Sequence, residues 1–231
     1  MKTIGLIGGM SWESSKVYYE LINRRVMELL GGSHSAKSIM ISVDFQEIAN
    51  YTFDDNWDGI GDMMEEATQQ LEKAGVDLIL LCTNTIHLVS DRIKNNTNIP
   101  FLHIADAVGE EITNRKTKRV ALLGTKFTME KDFYTKILEE KYGLEVITPG
   151  LEDREIMNSI IYNELVKGKI STESKRKCLR IIDGLVSQGA EGIILGCTEL
   201  PLLIQPQDVT TQLFDTTKIH AYKAVETALE N

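Results

Sequence analysis

The stretch Gly192–Leu200, GIILGCTEL, decides the fold. Ile193, Ile194 and Leu195 form an apolar run without alternation, the pattern of a parallel strand covered on both faces. The run stops at Gly196. Cys197, Thr198 and Glu199 follow, and Thr198 reads as the N-cap of a helix. Cys197 is therefore expected at the carboxyl end of a strand, beside backbone N–H groups and the positive end of a helix dipole. Open α/β sheets place ligands there, and a thiol loses its proton more readily there. The alternative is a buried structural cysteine, which is what most free cysteines are. On this stretch alone both readings stand.

Working outward, the same pattern occurs earlier in the chain. Residues 74–85, AGVDLILLCTNT, lie over residues 188–199, so that Gly75 meets Gly189, Ile79 meets Ile193 and Thr83 meets Cys197, an offset of 114 (197 less 83). Residues 118–138 lie over residues 2–22 without gaps: Gly8 meets Gly124, Tyr18 meets Tyr134 and Ile22 meets Leu138, an offset of 116 (124 less 8). Two matched segments in the same order, at nearly one offset, imply an internal duplication into two similar domains, not a solenoid.

Each half alternates strand and helix, the signature of a small parallel sheet flanked by helices. In the first half the expected strands are Ile4–Ile7 and Ile39–Phe45, then one ending near Cys82 and a short fourth after Pro100. A helix begins at Ser11 or Ser14 and runs to about Leu30. Tyr51–Trp57 reads as a loop over the sheet edge, and 63–73 as a helix. Another helix starts near Thr83 or Asn84. Breaks near Asn96–Pro100 and Gln205–Val209 suggest two crossings. The expected domains are therefore 1–98 plus 209–231, and 99–208, with the C-terminal helix returning to the first. The fold class is α/β with two pseudo-symmetric domains. Packed face to face, the two third-strand ends would meet in one interdomain cleft.

Bulk properties bound the function. The chain has 231 residues, 42% hydrophobic and 26% charged, an ordinary globular composition. Its net charge of −9, with no basic stripe, argues against a nucleic-acid partner. The three cysteines, Cys82, Cys178 and Cys197, are far apart and odd in number, as expected of reduced thiols in a cytoplasmic protein. No apolar run reaches membrane-span length, and Ile4–Met10 is too short and glycine-rich for a signal peptide. No His/Cys/Asp cluster has metal-ligand spacing, so no metal is expected. The turn after the first strand meets neither the dinucleotide-binding pattern nor the P-loop pattern.

Two equivalent positions on opposite sides of a cleft suit a reaction at a planar centre with two faces. Racemisation at an α-carbon is one: a base removes the proton from one face and an acid returns it on the other. Thr198 and Glu199 in one half, Asn84 and Thr85 in the other, could hold the carboxylate and ammonium of a small substrate. The loops after the first strands, Met10–Ser11 and Thr125–Thr128, lie at the same sheet end. Gln46 follows the second strand. Lys167 could pair with a substrate's side-chain carboxylate, or simply be solvated. His87 stands four residues after Thr83, as an orienting group or a structural one. His34, His220 and Cys178 read as structural.

At this point the chain resembles the aspartate/glutamate racemase family over essentially its whole length. GGMSWES after the first strand is similar to the aspartate-racemase branch, and CTNTIH and GCTEL match the family's two catalytic motifs in spacing and context. The resemblance implies a cofactor-independent enzyme, a small amino-acid substrate, an interdomain active site, and a homodimer. It implies substrate contacts from Met10 and Ser11, from Asn84 and Thr85, and from Thr198. One departure matters. The family's first motif is Cys-Asn-Thr-x-His, whereas this chain reads Thr83-Asn84-Thr85-Ile86-His87, with Cys82 one residue early. The internal repeat agrees, since Cys197 pairs with Thr83. Successive strand residues face opposite ways, so Cys82 should point into the domain unless a bulge intervenes.

A hydroxyl is a poor base near neutral pH. The expected pair is therefore asymmetric: Cys197 the competent thiolate, Thr83 the weaker partner. In the resembled family the second thiol acts on the L form, so an L-amino acid, aspartate or glutamate, is expected to react best. Three alternatives remain: a broad-specificity racemase, another single-thiol isomerase or decarboxylase of small acids, and a binding protein without chemistry.

Overall fold

Why the first half folds as it does is visible in its strand periodicity. The computed structural model describes residues 1–230. β1 (Ile4–Gly8) is followed by α1 (Trp12–Leu30), β2 (Ser38–Ser42), α2 (Phe45–Phe53), α3 (Trp57–Lys73), β3 (Leu78–Leu81) and α4 (Ser90–Asn95). The three strands form a parallel sheet in the order β2-β1-β3. Alternate side chains divide between its faces. Ile4, Leu6, Leu78, Leu80 and Cys82 pack with Tyr18, Ile22 and Val26. Ile7, Ile79 and Leu81 pack with Ile60, Met64 and Leu71. Tyr18, Ile22 and Val26 recur every four residues, so one stripe of α1 is buried. Each such side chain contributes about 1.5–3 kcal/mol on leaving water.

The second half repeats the plan. α5 (Ile104–Asn114) precedes β4 (Arg119–Gly124), α6 (Lys126–Glu130), α7 (Asp132–Tyr142), β5 (Glu145–Ile147), α8 (Leu151–Asn163) and α9 (Thr172–Ser187). β6 (Gly192–Gly196), α10 (Leu200–Leu203), β7 (Gln212–Asp215) and α11 (Thr216–Leu229) complete it. Its sheet is parallel, in the order β5-β4-β6-β7. The order β5-β4-β6 is β2-β1-β3 again. The register agrees too: Ile7 pairs with Leu81, and their repeat mates Leu123 and Leu195 pair with each other. The two halves are thus one topology used twice.

The chain divides into two compact units, Met1–Ile104 with the segment from Thr217 onward, and Ala105–Thr216. The crossings lie later than the 98/99 and 208/209 breaks read from composition. Phe101 still bridges Ile79 in parallel, which keeps the segment around it with the first sheet. Gln212–Asp215 is a full strand on β6, which holds it in the second. The two crossings are repeat-equivalent, 112 residues apart (216 less 104), each at the first residue of a helix. α5 joins the second unit, and α11 joins the first.

Several local expectations are corrected. β2 ends at Ser42, because Asp44 caps a helix by accepting from the Gln46 N–H at 2.9 Å. Tyr51 therefore lies inside α2 and Trp57 opens α3, where a loop was expected. The short fourth strand is a single bridge at Phe101. After β3 the chain makes a 3-10 turn, Thr85–Val89, before α4. Thr198 is not an N-cap: Glu199 precedes α10, which is only four residues long. Among the described residues no helix is long and apolar enough to cross a membrane.

Candidate active site

In the first unit the strand ends are wired together by serines. Gly9 has φ +94°, and a Cβ there would lie 2.1 Å from the Val43 carbonyl oxygen, so only glycine fits the turn. Its N–H donates to Ser15 Oγ at 2.8 Å. Ser11 caps α1, accepting from Ser14 N–H. Ser14 Oγ then donates to the Cys82 carbonyl at 2.7 Å, tying the first loop to the end of β3. Ser11 is half-buried, whereas the Met10 side chain lies in the core, leaving its backbone to border the loop. Gln46 is exposed on the first turn of α2, with Nε2 donating to Asn50 Oδ1 at 2.9 Å.

Cys82 and Thr83 separate as the strand alternation requires. Cys82 is fully buried among Leu80, Tyr18 and Ile22, and burial pushes its thiol far above the usual range. Thr83 is 8% exposed, the same as Cys197. Continuing the register past Ile7–Leu81 and Leu123–Leu195 makes Cys82 the mate of Gly196 and Thr83 the mate of Cys197. Asn84 is buried and Thr85 half-buried.

Behind this loop lie three buried histidines. His87 Nε2 accepts from the Ile104 N–H at 3.2 Å, so its proton sits on Nδ1, which faces the Thr83 and Asn84 carbonyls without closing a well-aligned bond. The His103 ring is 4.5 Å away and the His220 ring 5.8 Å. His220 Nε2 donates to the Leu102 carbonyl at 3.0 Å, and its Nδ1 accepts from Tyr18 Oη at 2.8 Å. Burial lowers both pKa values, His220 to about 4. His87 and His220 are neutral supports at physiological pH. Among the described residues no group of three or more His, Cys, Asp or Glu is placed to hold a metal ion.

In the second unit Thr125 caps α6 and its Oγ1 lies 3.1 Å from Thr128 Oγ1. Thr128 is fully buried against Gly124 and Gly196, where an added Cβ would come within 3.3 Å of it or closer. Cys197 shares a face with Ile193 and Leu195 and packs near Leu200 and Leu203. Its Sγ donates to Glu199 Oε2 at 2.9 Å, and Thr198 Oγ1 donates to the same oxygen at 2.7 Å. Burial, then the Glu199 charge and its hydrogen bond, hold the Cys197 thiol well above its ordinary pKa. The N–H groups of Glu199 and Leu200 oppose this. The thiolate expected from a helix start is therefore not the resting state: burial disfavours its charge first, and a four-residue helix offers little dipole against the neighbouring carboxylate. Tyr162 is 38% exposed overall, but desolvation of its hydroxyl, with Cys197 and Glu199 nearby, raises its pKa to about 12. Lys167 is exposed at the end of a 3-10 turn, Leu165–Lys167, and has no ion pair among the described residues.

Sequence reasoning grouped Glu199 with substrate contacts and did not foresee it as the thiol's own partner. Only its position two residues after the cysteine hinted at this. Tyr162 carried no signal, since it comes from a helix 35 residues earlier in the chain (197 less 162). Cys178 is core, its Sγ 3.6 Å from Met157 Sδ.

Comparison with known proteins follows the same lines. The Asp/Glu/hydantoin racemase family model matches residues 7–224. The broad-specificity amino-acid racemase RacX of Bacillus subtilis is 24% identical over 234 residues, covering 98% of each chain. A Yersinia pestis protein assigned provisionally to the Asp/Glu racemases has a crystal structure that superposes with a TM-score of 0.95 at 48% identity, over all of both chains. An aspartate racemase homologue from Pyrococcus horikoshii superposes at 0.88 with 42% identity, again over both full chains.

Proposed function

Because this chain belongs to the Asp/Glu/hydantoin racemase family, whose members are isomerases, we propose that it racemises aspartate or glutamate without a cofactor. Cys197 and Thr83 serve opposite faces of the α-carbon. The observation that carries this is the register equivalence of the two residues, each at the end of the strand that pairs with the first strand of its repeat. Proton removal from carbon on one face and return on the other needs two groups, and a duplicated sheet supplies two equivalent positions.

The pair is chemically unequal. Cys197 can deliver its proton as a thiol, or accept one after ionising. The Thr83 hydroxyl donates or relays more readily than it abstracts. By the family resemblance the second thiol serves the L form, so the L enantiomer is the better substrate for proton abstraction, with the equilibrium itself unbiased. Ser11 and the Met10 backbone, Asn84 and Thr85, Thr125 with the buried Thr128 behind it, and Thr198 form the polar surround of the amino acid. Lys167 is the candidate partner of its side-chain carboxylate, and Gln46 is a further candidate contact. The same reading makes the protein a cytoplasmic homodimer, as the family resemblance and the three unpaired thiols suggest.

The test is α-proton exchange in deuterated water, run separately on D and L forms. Faster exchange of the L form is expected, and loss of exchange in Cys197→Ser. Equal rates for both enantiomers would refute the unequal pair. Unchanged exchange in Cys197→Ser would refute catalysis through this thiol. Broad specificity is the second reading, favoured by full-length similarity to RacX. A panel of amino acids read by chiral chromatography, with Lys167→Met beside the parent, separates the two. Selective loss on acidic substrates supports the first reading; uniform activity across side chains supports the second.

A further inference from the structure

Glu199 is 9% exposed and, among the described residues, has no cationic partner. A carboxylate removed from water and left without a counter-charge is costly, and its lone pairs must be satisfied locally. Here one oxygen, Oε2, accepts from two donors, Cys197 Sγ at 2.9 Å and Thr198 Oγ1 at 2.7 Å, and Tyr162 is the other titratable group that faces the pair. Glu199 immediately precedes α10, whose Leu200 and Leu203 are fixed in the core, so its backbone is anchored. The carboxylate is thus held against the thiol by packing on one side and by a hydroxyl on the other.

We propose that Glu199 is a positioning residue for Cys197: it fixes the direction of the Sγ–H bond and keeps the thiol protonated in the free protein. The geometry also defines where that proton goes when the thiol must act as a base. The S–H bond breaks and an O–H bond forms at Oε2, leaving a thiolate and a neutral carboxylic acid, with no other reactant needed. A carboxylate beside the sulfur opposes a second negative charge, which agrees with the direction in which the Cys197 pKa is displaced. Thr198 restrains the same effect, because its hydroxyl shares the acceptor and weakens the pull on the thiol proton.

The experiment is a pH titration of thiolate ultraviolet absorbance, with Cys197→Ser subtracted as the blank for the other two cysteines. Glu199→Gln keeps the shape and an acceptor but removes the charge. Its thiolate midpoint should fall by about one pH unit or more, tenfold more thiolate at any pH below both midpoints. Thr198→Val should move the midpoint the other way. If Glu199→Gln does not fold, Glu199→Asp, which draws the carboxylate back by one methylene, should give a smaller fall. A midpoint unmoved or raised in Glu199→Gln, or in Glu199→Asp where that is the folded variant, overturns the proposal. The kinetic consequence rests on the racemase reading: kcat falls and the acid limb of the pH–rate profile moves with the thiolate midpoint, while KM changes little. The titration needs no turnover. A shifted midpoint in a protein that exchanges no α-proton keeps the role of Glu199 and removes the racemase reading; exchange with an unmoved midpoint does the reverse.

Discussion

Tyr18 and Tyr134 are repeat mates, both fully buried, and should respond oppositely to loss of the hydroxyl. Tyr18 Oη donates to His220 Nδ1 at 2.8 Å, with the rings edge-to-face at 5.6 Å. Tyr18→Phe keeps the ring contact but leaves a buried imidazole nitrogen without its donor, which costs about 1–3 kcal/mol. Tyr134 Oη has no hydrogen-bond partner among the described residues. The 112-residue spacing of the crossings explains why: the position equivalent to His220 is Val108, which has nothing to offer a hydroxyl. Tyr134→Phe removes an uncompensated polar atom and should leave stability within about 0.5 kcal/mol of the parent, or raise it. The two variants should therefore differ by about 1 kcal/mol or more, a Tm separation of roughly 2–4 °C for a chain of this size. Urea unfolding followed by circular dichroism is the suitable assay, because both tryptophans, Trp12 and Trp57, lie in the first unit and report on it alone. A Tyr134→Phe cost equal to that of Tyr18→Phe, at unchanged m, would refute the reasoning.

Three further outcomes are expected. His220 is held neutral by burial, with its pKa lowered from 6.5 to about 4; the unfolded chain therefore binds a proton first, and stability present above pH 6.5 is lost as pH falls toward about 4, by up to about 3 kcal/mol, visible as a pH-dependent unfolding free energy that flattens in His220→Gln. Gly9→Ala should cost more than about 3 kcal/mol or prevent folding, since its Cβ would lie 2.1 Å from a backbone oxygen, whereas Gly32→Ala, at φ +57° with nothing within 4 Å, should cost only about 1 kcal/mol by chemical denaturation. Cys82→Ala should lower stability by about 1 kcal/mol while leaving α-proton exchange intact; loss of exchange in a folded protein would show that this thiol reaches the reacting centre.

How much was legible follows from range. The duplication, the strand cores and the equivalence of Thr83 and Cys197 within the repeat were readable, because a buried parallel strand writes itself as a short apolar run and a repeat preserves its phase. Boundaries were less so. Tyr51 looked like a loop residue because the segment is polar and aromatic, yet the Asp44 cap starts a helix that carries through it. Thr198 looked like a cap because of its residue type; the hydroxyl is instead spent on Glu199, its neighbour.

By itself the sequence determined the architecture: two α/β repeats, a thiol at one strand end and a hydroxyl at the other, and a helix sent back to the first repeat. Tertiary structure alone decided the state of the chemistry. Burial and the Glu199 carboxylate make Cys197 a resting thiol, and the alternation of β3 turns Cys82 into the core. The physical reason is that periodicity is a property of the chain, whereas protonation is set by the dielectric and charges around a group. Those come from packing, and from residues whose nearness the linear order does not record.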